Sequence, residues 1–195
     1  RGHESRDYKI ESTIVRHVKG KKKECSVEDI LEAEKNEYNL FRRDVFKTEW
    51  LHNKPQKTDE MLFAMSIGRH LGLPCRLIDV TASLETAIWF PVMNPKFHNV
   101  DGEIILIYLD KNDVLETKQS PFNATKLSYA HEPFMTDSLS DLPLGEQRRF
   151  VQNGHFIWVD NNSLLNEEQV IKDSVVLVRH FTIPWQAKNT LANEL

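Results

Sequence analysis

The chain has 195 residues, 40% of them hydrophobic and 28% charged, with a formal net charge of -4; that balance excludes a disordered or fibrous chain and makes one domain over residues 1–195 the default. The acidic balance argues against a general affinity for nucleic acid backbones, while leaving room for a local basic groove. Cys25 and Cys75 stand in no C-x-x-C or zinc-ligand spacing and no apolar run is long enough to span a bilayer, so the expectation is a cytoplasmic, reducing setting without disulfide framework, metal knuckle or membrane partner.

In chain order, Arg1 to His17 carries short apolar pieces, Tyr8, Ile10, Ile14 and Val15, that read as a strand followed by a packed loop. The chain opens without methionine, and further residues are expected upstream of Arg1. Gly20 and Lys21 to Lys23 break the pattern; Ser26 before Glu28 and Asp29 then makes an N-cap with an acidic first turn, and Ile30, Leu31, Tyr38, Phe41, Val45 and Phe46 repeat at helical spacing to about Lys47. A second helix is predicted from Thr58, with Met61, Leu62, Met65 and Ile67 inward, stopped by Gly72 and Pro74. Arg76 to Val80 reads as a strand, Ser83 to Asn94 as a helix, and Ile104 to Leu109 as the plainest buried strand. Lys111 to Pro143 reads as a long irregular excursion of the kind that often covers a site. Gly145 to Val151 reads as a short helix, and His155 to Val159 and Val175 to Ile183 as strands. Helices first and strands later favour an α+β fold, with N-terminal helices packed on a mostly antiparallel sheet, over a doubly wound one.

The chemistry concentrates in His70-Leu71-Gly72-Leu73-Pro74-Cys75-Arg76-Leu77-Ile78-Asp79-Val80-Thr81. Strand alternation sends Arg76 and Ile78 to one face and Leu77 and Asp79 to the other, so a charge must be satisfied on each side. Asp79 can serve structurally, capping the helix from Ser83 or pairing with an arginine, or it can serve a ligand. No G-x-G-x-x-G or Walker loop is present, no histidine pair has metal-ligand spacing, and no serine sits in a G-x-S-x-G elbow.

These residues carry a resemblance. Arg1-Gly2, the element Tyr8 to Arg16, the block His70 to Thr81 leading into Ala87-Ile88-Trp89-Phe90, and Gln152-Asn153-Gly154-His155-Phe156 resemble, in order and spacing, the motifs of the FRG family. The chain departs at Ser12-Thr13, where that family has Pro-Ser, at Cys75 for Thr and at Val80 for Trp.

The layout is also remotely similar to the three-part NAD site of ADP-ribosyltransferases, and an ADP-ribosyltransferase-like fold is what that likeness implies. By the same likeness Arg1 contacts diphosphate or ribose, the Gly2 backbone holds the nicotinamide amide, and Thr81 and Ser83 support the strand behind the nicotinamide ribose. Gln152 stands where such enzymes carry a glutamate, and a neutral amide stabilises developing positive charge less well. Three readings follow: a transferase using another acid, Glu146 or Asp79; a phosphate-focused relative of the RNA 2'-phosphotransferases, served by Arg1, Arg16, His70, Arg76 and Arg148; or a non-catalytic ligand-sensing or interaction module of a bacterial or phage defence or toxin system. The expected catalytic set is Arg1, His70, Thr81 and Gln152, and the expected ligand set is Arg1, Gly2, Arg16, Arg76, Thr81, Ser83 and Arg148, with Asp79 structural or catalytic. NAD as substrate, a small nucleotide as partner, an unidentified macromolecular acceptor and no metal complete the expectation.

Overall fold

The computed structural model describes residues 1–53, 59–108, 128–130, 154–174 and 177–194. Among them the order is β1 (Gly2–His3), α1 (Thr13–Lys21), α2 (Val27–Asp44), α3 (Glu60–His70), β2 (Leu77–Thr81), α4 (Leu84–Met93), β3 (Gly102–Tyr108), β4 (Ser128–Ala130), β5 (Gly154–Trp158), α5 (Glu167–Ser174), β6 (Leu177–Ile183) and α6 (Trp185–Glu194). The fold is mixed α+β, and among the described residues every strand pairing is antiparallel. The strands make two sheets, β1-β3-β6 and β2-β5-β4, where the sequence reading expects one.

The alternation of β2 and β5 gives the second sheet two apolar faces. Leu77, Trp158 and Phe156 face α3 and the C-terminal half of α2, joining Phe41, Phe46, Leu62, Phe63, Met65 and Ile67. Ile78 and Ile157 face the other way, where Ile14, Val15 and Val18 of α1, Ile30 of α2, Ile171 of α5 and Ile105 of β3 complete a second core. That second core ties the two sheets together.

Helix α2 begins as its sequence predicts. Ser26 accepts from the Asp29 amide, and the Asp29 carboxylate accepts from the Ser26 amide, a full capping box. Helix α1 replaces the expected strand and loop. Its cap Ser12 makes no side-chain cap bond; instead the Ser12 amide donates to Glu167, the Ile14 amide donates to the Cys75 carbonyl, and the Thr13 hydroxyl both donates to the Cys75 carbonyl and accepts from the Cys75 amide. Tertiary contacts thus satisfy the helix-start donors that a local cap would serve. Helices α5 and α6 are also absent from the sequence reading, and β3 is less enclosed than it predicts: Ile105 is buried, while Leu106 and Tyr108 are exposed.

Much of the polar block between residues 70 and 76 is fold chemistry. Gly72, at φ 95°, ends α3: the Leu73 amide donates to the Gly68 carbonyl and the Gly72 amide to the Arg69 carbonyl, a Schellman stop. Arg76 is 0% exposed and so is its partner Glu34. The Arg76 amide donates to Glu34 Oε1 at 2.7 Å, its Nε and Nη2 donate to Oε2 at 2.8 and 2.6 Å, and Nη1 donates to Asn161 Oδ1 at 2.6 Å. Arg76 is therefore committed within the core, contrary to the ligand-binding role expected of it. The fit of Glu34 to this fork predicts that Glu34→Ala, which strands a buried guanidinium, costs about 3–5 kcal/mol. Thermal unfolding should show a Tm lowered by roughly 6–20 °C for a chain of this size; a Tm within about 2 °C of the parent contradicts the assignment.

Candidate functional site

Where β1 meets the cleft end of β2 and β5, a cavity of about 440 Å³ opens, lined from the N-terminal segment by Arg1, Gly2, His3, Glu4 and Tyr8, from α1 by Arg16, and from α3 and its stop by Arg69, His70 and Gly72. Asp79, Val80 and Thr81 of β2, Thr86 and Phe90 of α4, and Gly154, His155 and Phe156 of β5 close it. Arg1, Gly2, Arg16, His70, Asp79 and Thr81 thus line one cleft. Gln152, Arg148 and Glu146 lie outside the described residues.

Gly2 is placed by close packing. A Cβ there would lie 2.0 Å from the Ala87 carbonyl oxygen and 2.7 Å from Pro91, so only glycine lets β1 press against α4. Lys188 of α6 is buried and donates to the carbonyls of Glu4 at 3.0 Å and Phe97 at 2.9 Å. The C-terminal helix therefore helps to hold the strand that carries Arg1. Arg1 main-chain N and O exchange bonds with Ile105 at 3.0 and 2.8 Å, extending the β1–β3 pairing to the cleft edge.

Asp79 pairs with Arg69, and it is half-buried, its side chain 38% exposed. Of the structural roles open to Asp79 in the sequence, the arginine pairing is the one present, with Arg69 as the partner, and an ion pair this open contributes roughly 0.2–1 kcal/mol. Ser83 is a helix cap: its hydroxyl accepts from the Thr86 amide, its own amide donates to Thr81 Oγ1, and it is not among the lining residues. The His70 ring lies 5.8 Å from that of Phe156.

Charge in the cleft is unevenly matched. Glu4 accepts from Asn94 Nδ2 at 2.6 Å, and Asp79 is taken by Arg69. Arg1 donates Nε to His3 Nε2 at 2.6 Å and Nη1 to the Asp79 carbonyl, both neutral acceptors. Among the described residues neither Arg1 nor Arg16 has a carboxylate partner. Burial chiefly lowers the Arg1 pKa to about 10, with Asp79 opposing and Arg16 and Arg69 adding repulsion, so the group is still a cation at neutral pH. His3 is pushed down to about 3 by burial and by Arg1, so it is neutral there. Guanidinium groups that outnumber the carboxylates around them attract anions, and among the described lining residues Arg1, Arg16 and Arg69 outnumber Glu4 and Asp79.

His3, Glu4, Tyr8, Arg69, Thr86, Phe90 and His155 are lining residues that sequence reasoning missed. Arg69 and His155 adjoin the motif residues His70 and Gly154, which was the available signal; Glu4, Thr86 and Phe90 reach the cleft through the packing of β1 on α4, which spacing does not reveal. Among the described residues no group of histidine, cysteine and carboxylate side chains is placed to hold a metal ion, and no helix is long and apolar enough to cross a membrane.

Behind α1, Glu167 is 3% exposed and accepts from the Ser12 amide. Burial raises its pKa from 4.5 to about 7, and its charge is felt at Arg1. A carboxyl raised on folding contributes stability that is fully present below about pH 4.5 and is lost as pH rises through about 7. Glu167→Gln keeps the acceptor and removes the titration. The variant-minus-parent difference in unfolding free energy should therefore grow in favour of the variant from pH 4.5 to 8, by on the order of 3 kcal/mol; a difference that is flat with pH contradicts the buried acid.

Comparison with known proteins places these residues in a family. The family model described as the FRG domain matches residues 1–99, just over half of the 195-residue chain and all of β1 to α4. The Gln152 to Phe156 element lies beyond the matched span. No curated protein and no solved structure matches the chain.

Proposed function

We propose that this chain, which belongs to the FRG domain family, uses the cleft to bind a phosphate-bearing nucleotide, NAD or a phosphorylated ribose, and acts on it as ADP-ribosyltransferase-like enzymes do. The observation that carries the reading is the pair of guanidinium groups, Arg1 and Arg16, that line one cavity without a carboxylate partner among the described residues. Forked donors match phosphate oxygens, and a volume of about 440 Å³ lies in the range of small-ligand pockets. Tyr8, Phe90 and Phe156 supply apolar and aromatic lining beside the charges, as a nucleotide's mixed chemistry requires.

In the transferase reaction the bond from ribose C1' to the nicotinamide nitrogen breaks with its electron pair leaving on nicotinamide. An acceptor nucleophile bonds to C1' and releases its proton to solvent. A carboxylate facing the ribose stabilises the cationic transition state. Asp79 is the lining carboxylate on β2 for that role, and its neighbour Arg69 fixes its position. The second reading, a nucleotide-sensing module without turnover, is favoured by Gln152, an amide at the place where such enzymes carry an acid.

Calorimetry with NAD, ADP-ribose and pyrophosphate tests the binding. The parent should bind at least one of the three, and Arg16→Ala, whose side chain has no bonded partner among the described residues, should weaken it about ten- to a hundredfold, the worth of a charge-assisted bond. A folded parent that binds none of them overturns the reading. Incubation with NAD then separates the two versions: release of nicotinamide that Asp79→Asn abolishes supports the transferase, and binding without release supports the sensor.

A further inference from the structure

We propose that His3 is the positioning residue of the anion site: a neutral acceptor that holds Arg1 by its Nε and leaves the outer N–H groups of the guanidinium to a phosphate. The inference rests on the phosphate reading of the cleft, and nothing in the motifs assigns His3 a part.

The geometry is specific. Arg1 Nε donates to His3 Nε2 at 2.6 Å and Arg1 Nη1 donates to the Asp79 carbonyl, so the guanidinium is held at two of its three nitrogens while Nη2 has no partner among the described residues. Strand pairing places the ring: His3 stands opposite Glu103 in the β1–β3 register, next to the Gly2 that is clamped on α4. Because Nε2 accepts, the ring proton belongs on Nδ1, and Nδ1 lies 3.9 Å from Glu103 Oε2. Glu103 is itself held by His180 Nδ1 at 2.8 Å. The groups around His3 are thus the side chain and terminal ammonium of Arg1, Arg16, the Tyr8 backbone and its ring at 6.3 Å, and Glu103, with His180 behind Glu103.

The choice of imidazole has a physical reason. A carboxylate at position 3 would hold Arg1 equally well and would also neutralise it, cancelling its attraction for an anion. A protonated histidine would lose the acceptor and repel the guanidinium. Neutral imidazole in the Nδ1–H form orients the cation and leaves its charge unspent. Burial and the adjacent Arg1 hold the ring in that neutral form.

Two measurements decide the matter. Long-range nitrogen-proton NMR of the imidazole in the free protein should show His3 as the neutral Nδ1–H tautomer with no titration between pH 8 and 5; an Nε2–H tautomer, or a transition near the ordinary histidine value of about 6.5, overturns the proposal. This readout needs no ligand and stands whether or not the cleft binds nucleotide. Calorimetry with ADP-ribose and pyrophosphate then compares variants. His3→Ala should weaken binding about tenfold. His3→Gln, whose amide oxygen can accept from Nε, should recover most of it, and His3→Glu should bind more weakly than His3→Ala although it offers the better acceptor. A parent that binds neither probe refutes the phosphate reading. A parent that binds, with His3→Ala binding as tightly or His3→Glu binding better than His3→Ala, refutes the positioning role and leaves the phosphate reading standing.

Discussion

A guanidinium and a carboxylate, both closed off from water, join Arg76 at the start of β2 to Glu34 in the middle of α2. Taking such a pair out of water costs several kcal/mol per ion, and the cost is offset only when the hydrogen-bond geometry is complete. Here it is: Glu34 receives the Arg76 main-chain amide and two side-chain donors, and the remaining fork reaches Asn161 and the Val159 carbonyl. One ion pair therefore fixes α2, the entry to β2 and the end of β5 relative to one another. From that anchor β2 runs five residues to the cleft, with Leu77 and Ile78 locked into opposite cores and Asp79 to Thr81 emerging at the cavity.

The contrast between the arginines is what gives the cleft its chemical character. Arg76 is neutralised inside the fold, and Arg69 is neutralised by Asp79 at the rim. Arg1 and Arg16 are oriented or placed without being neutralised. Ion pairing is how a fold usually disposes of clustered arginines, so two that line one cavity with no carboxylate partner among the described residues keep their attraction for negative charge. The site is assembled from distant parts of the chain: β1 brings Arg1, α1 brings Arg16, α3 brings Arg69 and His70, and α6 braces β1 through Lys188. Although the family match ends at residue 99, β5 and α6 contribute to the walls and supports of the cleft.

Features with local causes were legible in the sequence. The Ser26 capping box, the Gly72 stop and the period-two strand at Arg76 to Val80 each follow from residues within a few positions of one another, and the structure places each where its residues imply. Helix α1 was not legible because Thr13, Ile14 and Val15 are β-branched and its first amides are satisfied by Cys75 and Glu167, far along the chain. The division into two sheets depends on pairings such as His3 with Glu103, which no local pattern announces. Of the block from His70 to Thr81, the density of polar residues pointed to a site, yet Gly72 serves the helix end and Arg76 the core; His70, Asp79 and Thr81 are the polar side chains that reach the cavity. Strand alternation had already put Arg76 and Asp79 on opposite faces, and only the partner Glu34, one helix away, shows which face is interior.

We propose that the arginines of this cleft without a carboxylate partner among the described residues receive the phosphates of a nucleotide. The most direct test is a crystal structure of the protein grown with saturating ADP-ribose. The diphosphate should lie in the cleft with its oxygens within hydrogen-bond distance of the guanidinium groups of Arg1 and Arg16, and with Arg69 still paired to Asp79. Ligand density on another face of the protein, or an empty cleft at a concentration where binding is saturated in solution, would contradict it.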